Sequence, residues 1–303
     1  MTEPTPRQRL TDAATVNAYK MGSLAARLMP GPVATAAAAS LGFGASFANA
    51  ERRAMIERHI KRVNPNLRGA SLRVAVQQAF DSYARYYVES FRLPSLSKTT
   101  VGRSFTVDGF HHITDALDAG NGCIFALPHL GGWEWAGRWM TDQGFPMTVV
   151  VEALEPPELF QWFADLRKEL GMTVIPTGPG AAAAVTKALK DNQIVCLLCD
   201  RDIERNGVDV EFFGERTTLP AGPAMLGLRV GSPVLPVGCY FTPAHNGHHA
   251  LVRPPLSMVR QGGLREDVSR ITQNLARELE FLIRRAPEQW HLFQPNWPSD
   301  PGY

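Results

Sequence analysis

Strand-like and helix-like segments alternate along the last two thirds of this 303-residue chain. Short apolar runs typical of buried strands alternate with longer runs that have the apolar period of helices. The strand-like runs are 105–107, 124–127, 148–151, 173–175, 194–199, 210–213 and 234–241, and the helix-like runs are 113–119, 133–141, 156–170, 181–190 and 264–286. This alternation predicts an α/β fold with a mixed, largely parallel central sheet flanked by helices.

The first third of the chain predicts an N-terminal helical segment instead. Helices are predicted over 16–29, 51–63 and 72–91, a loose terminus over 1–12 and a loop over 94–100. We therefore expect a helical, basic, membrane-proximal segment over residues 1–103 and an α/β core over 104–303, together forming one continuous domain.

Residues 28–50 carry no charged side chain, which raises the question of a membrane span. They are mostly Ala, Gly, Ser and Pro, which is too weakly apolar a composition for confident insertion. We expect two short helices here, either partly buried in the protein or lying in a membrane interface.

Charge is distributed unevenly along the chain. The formal net charge is +2, but residues 51–103 carry +7 and the residues from 104 onward carry −7. A basic surface favours an anionic partner, either a lipid headgroup layer or a nucleic acid. Because no zinc finger, ribonucleoprotein motif or basic recognition helix accompanies it, the sequence favours an anionic membrane surface and no nucleic acid.

Cysteines and clustered histidines suggest no metal site. The four cysteines lie within apolar runs, so we interpret them as reduced core thiols, although Cys196 and Cys199 have the spacing of a redox pair. His111 and His112 are adjacent and would point apart, and residues 245–249 predict a hairpin turn around Asn-Gly. We expect neither a metal nor a bound cofactor.

A histidine at a strand tip is the strongest candidate for chemistry. The apolar run Cys123 to Leu127 ends at Pro128, and His129 follows at once. Gly131 and Gly132 leave the neighbouring backbone open to close approach, and the next helix carries Glu134. Such a spacing predicts a base whose imidazole is held and stabilised by a carboxylate.

The string His-Leu-Gly-Gly-Trp-Glu-Trp-Ala-Gly over 129–137 resembles the bacterial lysophospholipid and lipid A acyltransferase superfamily. Within it, the string is most similar to the actinobacterial phosphatidylinositol mannoside acyltransferases. Residues 207–214 and 219–223 also resemble a later block of the superfamily. The resemblance implies an α/β fold with a catalytic groove, His129 as the base and Glu134 as the acid that orients it.

The resemblance also implies roles for other side chains. Glu204 matches a second glutamate that engages the histidine, and Arg167 resembles an arginine near the acceptor phosphate. Asp200 and Arg201 follow the strand 194–199 and are predicted to face the same groove as His129. Arg201 could bind phosphate or pair with a neighbouring aspartate. Gly131 and Trp133 are further candidates for substrate contact.

The resemblance and the basic N-terminal segment together imply a peripheral enzyme at the cytoplasmic face of the membrane. It would move a fatty acyl group, palmitoyl by resemblance, from acyl-CoA to the 6-hydroxyl of a mannose on phosphatidylinositol mannoside. Alternatives are an acyltransferase for a lipid A precursor or a lysophospholipid, and a non-catalytic lipid-binding homologue. A serine hydrolase is disfavoured because the chain has no Gly-x-Ser-x-Gly motif.

Overall fold

A seven-stranded sheet lies at the centre of the protein. The computed structural model describes residues 6–152 and 155–303. The strands in this part of the chain are β1 (Phe105–Asp108), β2 (Cys123–Leu127), β3 (Met147–Val151), β4 (Met172–Pro176), β5 (Ile194–Leu198), β6 (Val208–Phe212), β7 (Glu215–Leu219), β8 (Val234–Phe241) and β9 (His248–Val252). The helices are α1 (Pro6–Leu28), α2 (Gly31–Ala48), α3 (Ala50–Val63), α4 (Gly69–Arg92), α5 (Lys98–Arg103), α6 (His111–Asp118), α7 (Trp133–Asp142), α8 (Pro157–Glu169), α9 (Ala181–Lys190), α10 (Gly222–Val230) and α11 (Leu264–Arg284).

The strands of the central sheet lie in the order β1-β9-β8-β2-β5-β3-β4. Neighbours are parallel except β8 and β9, which are antiparallel. The prediction of a mixed, largely parallel sheet is therefore confirmed. In the pairing of β2 with β5, Leu127 lies opposite Leu198. Because these parallel strands end at the same level, the residues that follow them leave the sheet side by side.

Helices cover both faces of the sheet, as predicted. The five residues of β2 are all buried, and successive side chains point to opposite faces. On one face, Ile124 and Ala126 belong to a cluster with Leu275 and Leu279 of α11. On the other face, Phe125 belongs to a cluster that includes Trp135 of α7. The strand that leads to His129 is thus fixed by packing on both sides.

Two strands, β7 and β9, were not predicted from the sequence. The predicted strand over 210–213 corresponds to β6, but it lies outside the main sheet, because β6 pairs with β7 in a separate antiparallel hairpin. The other unpredicted strand, β9, pairs antiparallel with β8 after a turn in which Asn246 has a φ of +54°. This confirms the predicted hairpin around Asn-Gly. The expected loop over 94–100 contains a 3-10 turn, Leu93–Ser95, and the start of α5.

The N-terminal segment is more regular than expected. The prediction of a loose terminus is wrong from residue 6 onward, where α1 begins; residues 1–5 lie outside the described part of the chain. In place of two short helices, residues 31–48 form the single helix α2. Its buried stripe contains only small residues, which are Ala34, Ala38, Gly42 and Ser46. A Cβ atom on Gly42 would lie 2.5 Å from the Asp81 side chain, so small residues are what allow α2 to lie close to α4.

The other side of this segment exposes large apolar side chains. Met21, Leu24 and Leu28 of α1 are exposed, and so are Leu41, Phe43 and Phe47 of α2. No helix in the described ranges is both long and apolar enough to cross a bilayer. One face of α2 is thus buried in the protein, as one of the two expectations for residues 28–50 had it, and another face is open to the surroundings. The alternative, a position in a membrane interface, stays a prediction.

Candidate active site

His129 lies directly beyond the carboxyl end of β2. Its backbone N–H donates to Oδ2 of Asp200 at 2.9 Å, and its carbonyl accepts from the N–H of His291 at 2.7 Å. The imidazole is half-buried, with 29% of the side chain exposed. Both backbone polar groups of His129 are therefore fixed, while part of the ring remains accessible to a substrate.

The carboxylate that holds the imidazole is Asp200. Its Oδ1 lies 2.7 Å from Nδ1 of His129. This contact follows from the sheet, because Asp200 leaves β5 beside the point where His129 leaves β2. The expectation that Glu134 would orient His129 is wrong in this structure. The sequence had placed Asp200 in the same groove, but only as a substrate contact.

The environment of Asp200 keeps it ionised. Burial by itself would raise the pKa of this carboxyl group, which has no exposed surface. The neighbouring His129 and the hydrogen bond from the Trp290 indole outweigh that effect and hold the pKa of Asp200 below its usual value. An ionised Asp200 fixes the tautomer of His129 and stabilises its protonated form.

The other ring nitrogen of His129 is available for proton transfer. With Nδ1 bonded to Asp200, Nε2 has no hydrogen-bond partner among residues 6–152 and 155–303. A neutral imidazole whose Nδ1 carries the proton presents a lone pair at Nε2. The arrangement can therefore accept a proton from a hydroxyl group placed within about 3 Å of that atom.

Glu134 forms a separate buried polar cluster. It is the second residue of α7, and Oε1 accepts from Nε of Arg167 at 3.0 Å and from the Tyr86 hydroxyl at 3.3 Å. A second nitrogen of the Arg167 guanidinium also donates to Glu134. Arg167 lies on α8 and Tyr86 on α4, so this cluster joins three helices. The side chain of Glu134 is directed to these partners and not back to His129.

The two predicted phosphate contacts differ in their environment. Arg167 is neutralised by Glu134; burial alone would lower the pKa of Arg167, but the carboxylate beside it raises that pKa. Arg201, directly after Asp200, is half-buried and has no ion-pair partner in the part of the chain that the structure describes. The expected alternative, pairing of Arg201 with a neighbouring aspartate, is not observed. Of the two, only Arg167 thus has its charge neutralised by a carboxylate among the described residues.

Glu204 does not approach His129. It is exposed, and its carboxylate accepts from the Asn206 amide at 2.8 Å. Asp202, closer to the strand end, accepts from the backbone N–H of Gly207 and from the hydroxyl of Thr218, each at 2.7 Å. Asp202 thus fixes the loop after β5, and the prediction that Glu204 engages the histidine is wrong in this structure.

Gly131 and Trp133 have clear structural roles. Gly131 has a φ of +59°, and a Cβ atom there would lie 2.3 Å from the carbonyl oxygen of Cys239. The group that approaches Gly131 closely is therefore the backbone of β8. Trp133 lies edge-on to His129 with ring centroids 5.8 Å apart, and its other ring neighbours are Tyr86 at 4.2 Å and His291 at 5.7 Å.

An apolar cavity of about 80 Å³ lies on the α7 face of the sheet. Trp133 and Leu127 line it, so it adjoins the strand end that carries His129. Most of the remaining lining is apolar side chains of the strands and of α7, with Glu134 and Arg167 as charged members. A cavity of this kind, next to a candidate base, suits a flexible apolar group better than a polar one.

The cysteines are free, as predicted. Cys123, Cys199 and Cys239 are buried and Cys196 is half-buried. Burial raises the pKa of Cys123 and of Cys239 to about 12, which keeps both thiols protonated and unreactive at neutral pH. The apolar, strand-like context of Cys196 and Cys199 therefore predicted their state correctly, whereas their redox-pair spacing did not.

Trp290 and Asn296 complete the surroundings of Asp200. The indole N–H of Trp290 donates to Oδ2 of Asp200 at 2.7 Å, and the amide of Asn296 donates to the Asp200 carbonyl at 3.0 Å. Neither residue was among the site residues predicted from the sequence. These contacts join residues that are 90 and 96 positions apart in the chain, so no local sequence pattern predicts them.

Comparison with known proteins identifies the relatives of this chain. Residues 1–299 match the family described as bacterial lipid A biosynthesis acyltransferase. A phosphatidylinositol mannoside acyltransferase of Mycolicibacterium smegmatis is 39% identical over 228 residues, which cover 74% of this chain and 73% of the relative. A protein of the same name from Mycobacterium tuberculosis H37Rv is 35% identical over 301 residues, or 97% of this chain and 92% of the relative. The chain therefore belongs to the bacterial lipid A biosynthesis acyltransferase family.

Proposed function

We propose that the protein transfers a fatty acyl group from acyl-CoA to the 6-hydroxyl of a mannose on phosphatidylinositol mannoside. The observation that carries this proposal is the pairing of His129 with Asp200 beside an apolar cavity. It leaves Nε2 of a half-buried histidine without a hydrogen-bond partner among the residues that the structure describes. The names of the two relatives support the choice of acceptor.

The reaction needs one base and no covalent intermediate on the protein. Nε2 of His129 removes the proton from the mannose hydroxyl as its oxygen attacks the thioester carbonyl. The carbon–sulfur bond then breaks, and the departing thiolate of coenzyme A takes up the proton from the imidazolium. Asp200 stabilises the positive charge on His129 in between. A positioned base of this kind contributes a factor of about 10² to 10⁴ to the rate.

The apolar cavity is our candidate for the part of the acyl chain nearest the thioester, since a volume of about 80 Å³ holds only part of a palmitoyl chain. Its lining is mostly aliphatic and aromatic, which suits a hydrocarbon chain. The charged side chains of Glu134 and Arg167 also line it, but they pair with each other. Trp133 touches both the cavity and His129, so a chain in the cavity would bring its thioester near the base. Palmitoyl is the acyl group that the family resemblance favours.

Arg201 is our candidate for the phosphate of the acceptor. It directly follows Asp200 and has no anionic partner in the described ranges. Arg167, the other candidate, would have to give up its buried pair with Glu134 to bind a phosphate, which is costly for both charges. We therefore place the inositol phosphate nearer to Arg201 than to Arg167.

A peripheral position on the cytoplasmic face of the membrane would bring the enzyme to its lipid acceptor. The exposed apolar side chains of α1 and α2 support this, since Phe43 and Phe47 alone are 59% and 71% exposed. The +7 charge of residues 51–103 supports attraction to an anionic headgroup layer. A partly exposed apolar helix beside a basic surface is typical of interfacial binding.

Transfer of labelled palmitoyl from palmitoyl-CoA to a panel of acceptors tests this function. The panel contains mono- and dimannosylated phosphatidylinositol, a lysophospholipid and a lipid A precursor, with palmitoyl-acyl carrier protein as an alternative donor. We expect label on the mannosides with palmitoyl-CoA as donor. Transfer to another acceptor alone would show that the mannosides are not the substrate. Binding of acyl-CoA without turnover on any acceptor would favour a non-catalytic lipid-binding homologue.

A further inference from the structure

The C-terminal segment, defined here as Gln289 to Asp300, runs directly across the candidate active site. The N–H of Gly131 donates to the Gln289 carbonyl at 2.9 Å, and Leu130 forms an antiparallel bridge with Trp290. Together with the bond from the His291 N–H to the His129 carbonyl, these contacts pair the backbone after β2 with the C-terminal segment. His129 is therefore held from two directions, by β2 and by the end of the chain.

Trp290 makes the most direct contact with the pair of His129 and Asp200. Its ring is buried, with 4% exposed, and its indole N–H lies 2.7 Å from Oδ2 of Asp200. The same Oδ2 accepts from the His129 N–H, while Oδ1 faces Nδ1 of His129. Both carboxylate oxygens thus have fixed donors, and the plane of the carboxylate is determined.

The C-terminal segment is itself anchored to the N-terminal helices. The imidazole of His59 on α3 lies 2.9 Å from the Leu292 carbonyl, and Arg62 on the same helix pairs with Asp300 at 3.0 Å. The hydroxyl of Ser82 on α4 lies 2.8 Å from Nε2 of His291. Because the segment is held on this outer side, it is a rigid support and not a loose tail.

We propose that Trp290 is a positioning residue, whose indole N–H holds the Asp200 carboxylate in the orientation that keeps Nε2 of His129 directed at the acceptor hydroxyl. This rests on the proposed role of His129 as the base. The C-terminal segment thereby supports the active site through Trp290, although none of its residues needs to touch the substrate.

Trp297 provides a matched control within the same segment. It is as fully buried as Trp290, and its indole N–H also makes one hydrogen bond, to the Phe212 carbonyl at 3.1 Å. Its partner is a backbone group of β6, whereas that of Trp290 is a carboxylate oxygen of Asp200. If Trp290 were simply a core residue, Trp290→Phe and Trp297→Phe would have equivalent effects on catalysis in the folded enzyme.

The test compares these two variants with wild type in the full-length protein, using palmitoyl-CoA and a mannosylated phosphatidylinositol. We expect Trp290→Phe to lower kcat about tenfold or more, with KM changed less than about twofold, because one hydrogen bond to a charged group is lost. Trp297→Phe should leave kcat of the folded fraction within about twofold. Equal kcat values for folded Trp290→Phe and wild type would overturn the proposal.

A second measurement does not depend on activity. In protein with ¹⁵N-labelled histidine, the Nδ1–H resonance of His129, assigned by its absence in His129→Gln, reports the bond to Asp200. We expect this resonance to move in Trp290→Phe and to stay unchanged in Trp297→Phe. If wild type transfers no acyl group at all, the proposed function fails, and the resonance still decides whether Trp290 positions the pair.

A shape-preserving substitution covers the case in which Trp290→Phe does not fold. Benzothienylalanine at position 290 replaces the indole N–H with sulfur and keeps the bicyclic ring. We expect the same loss of kcat and the same moved resonance. An unchanged kcat together with an unchanged resonance in this variant would overturn the positioning role.

Discussion

The Nδ1 atom of His129 lies 2.7 Å from Oδ1 of Asp200, although the two residues are 71 positions apart in the chain. The pairing of β2 with β5 brings them together, since Leu127 and Leu198 are opposite each other at the ends of these strands. The carboxylate that orients the candidate base thus comes from a neighbouring strand, whereas the acid five residues after the histidine belongs to a different cluster.

The first prediction concerns the carboxylate itself. Asp200→Asn should lower kcat by a factor of about 10² to 10⁴, because an amide cannot stabilise the imidazolium of His129 and can present an N–H to Nδ1. Steady-state acyl transfer measures this effect. Asp202→Asn is the matched control at the same strand end, because Asp202 bonds Gly207 and Thr218 and should leave kcat close to wild type.

Glu134 and Arg167 should contribute mainly to stability. Removing one partner of this buried pair, as in Glu134→Gln or Arg167→Met, leaves an uncompensated group and should lower the free energy of unfolding by about 3 to 5 kcal/mol. The double variant should recover part of that loss, as urea unfolding would show. If folded Glu134→Gln lost as much kcat as Asp200→Asn, the separation of the two clusters would be contradicted.

His291 should make stability depend on pH. Burial lowers the pKa of His291 to about 3, whereas an unfolded histidine titrates near 6.5. As the pH falls below 6.5 the unfolded chain binds a proton that the folded protein does not, so stability is lost on acidification. Between pH 7 and pH 5 the titration of His291 should lower the free energy of unfolding by about 2 kcal/mol.

Urea unfolding at pH 7 and pH 5 measures this loss. The free energy of unfolding should decrease less in His291→Gln than in wild type, by about 2 kcal/mol. The glutamine keeps a group that can bond Ser82. His111→Gln, which changes an exposed histidine on α6, should decrease as wild type does. Equal decreases in wild type and His291→Gln would show that His291 is protonated in the folded state.

The exposed face of α2 should carry membrane affinity. Phe43→Ser and Phe47→Ser should each lower binding to anionic vesicles about tenfold or more, because burial of a phenylalanine in an apolar medium is worth about 1.5 to 3 kcal/mol. Sedimentation with vesicles of phosphatidylglycerol and phosphatidylcholine measures this. Val259→Ser, an equally exposed apolar residue in the loop before α11, should bind as wild type does. Unchanged vesicle binding in both phenylalanine variants would show that α2 does not contribute to membrane binding.

Local patterns in the sequence predicted most of the fold and the position of the candidate base. The buried run before Pro128 identified β2, and a histidine at its end had to lie at the ligand-binding edge of the sheet. The same reasoning placed Asp200 at that edge. Strand β9 was missed because its His-His-Ala-Leu-Val sequence is short and carries polar residues.

The partners of these side chains could not be predicted locally. Spacing favoured Glu134 as the acid, but the direction of α7 carries its side chain to Arg167, which only the packing of three helices determines. Trp290 and Asn296 reach Asp200 through the path of the C-terminal segment. Such contacts depend on register between distant parts of the chain, and the division into segments at residue 103 stays a prediction.

The role of His129 as the base is tested by single-turnover transfer of labelled palmitoyl from palmitoyl-CoA to dimannosylated phosphatidylinositol, with wild type and His129→Ala compared. Thermal unfolding of both proteins would establish that the variant is folded. We expect wild type to form a product acylated at a mannose 6-hydroxyl, and His129→Ala to form it more slowly by a factor of about 10² to 10⁴. Product formation at the wild-type rate by folded His129→Ala would contradict this role.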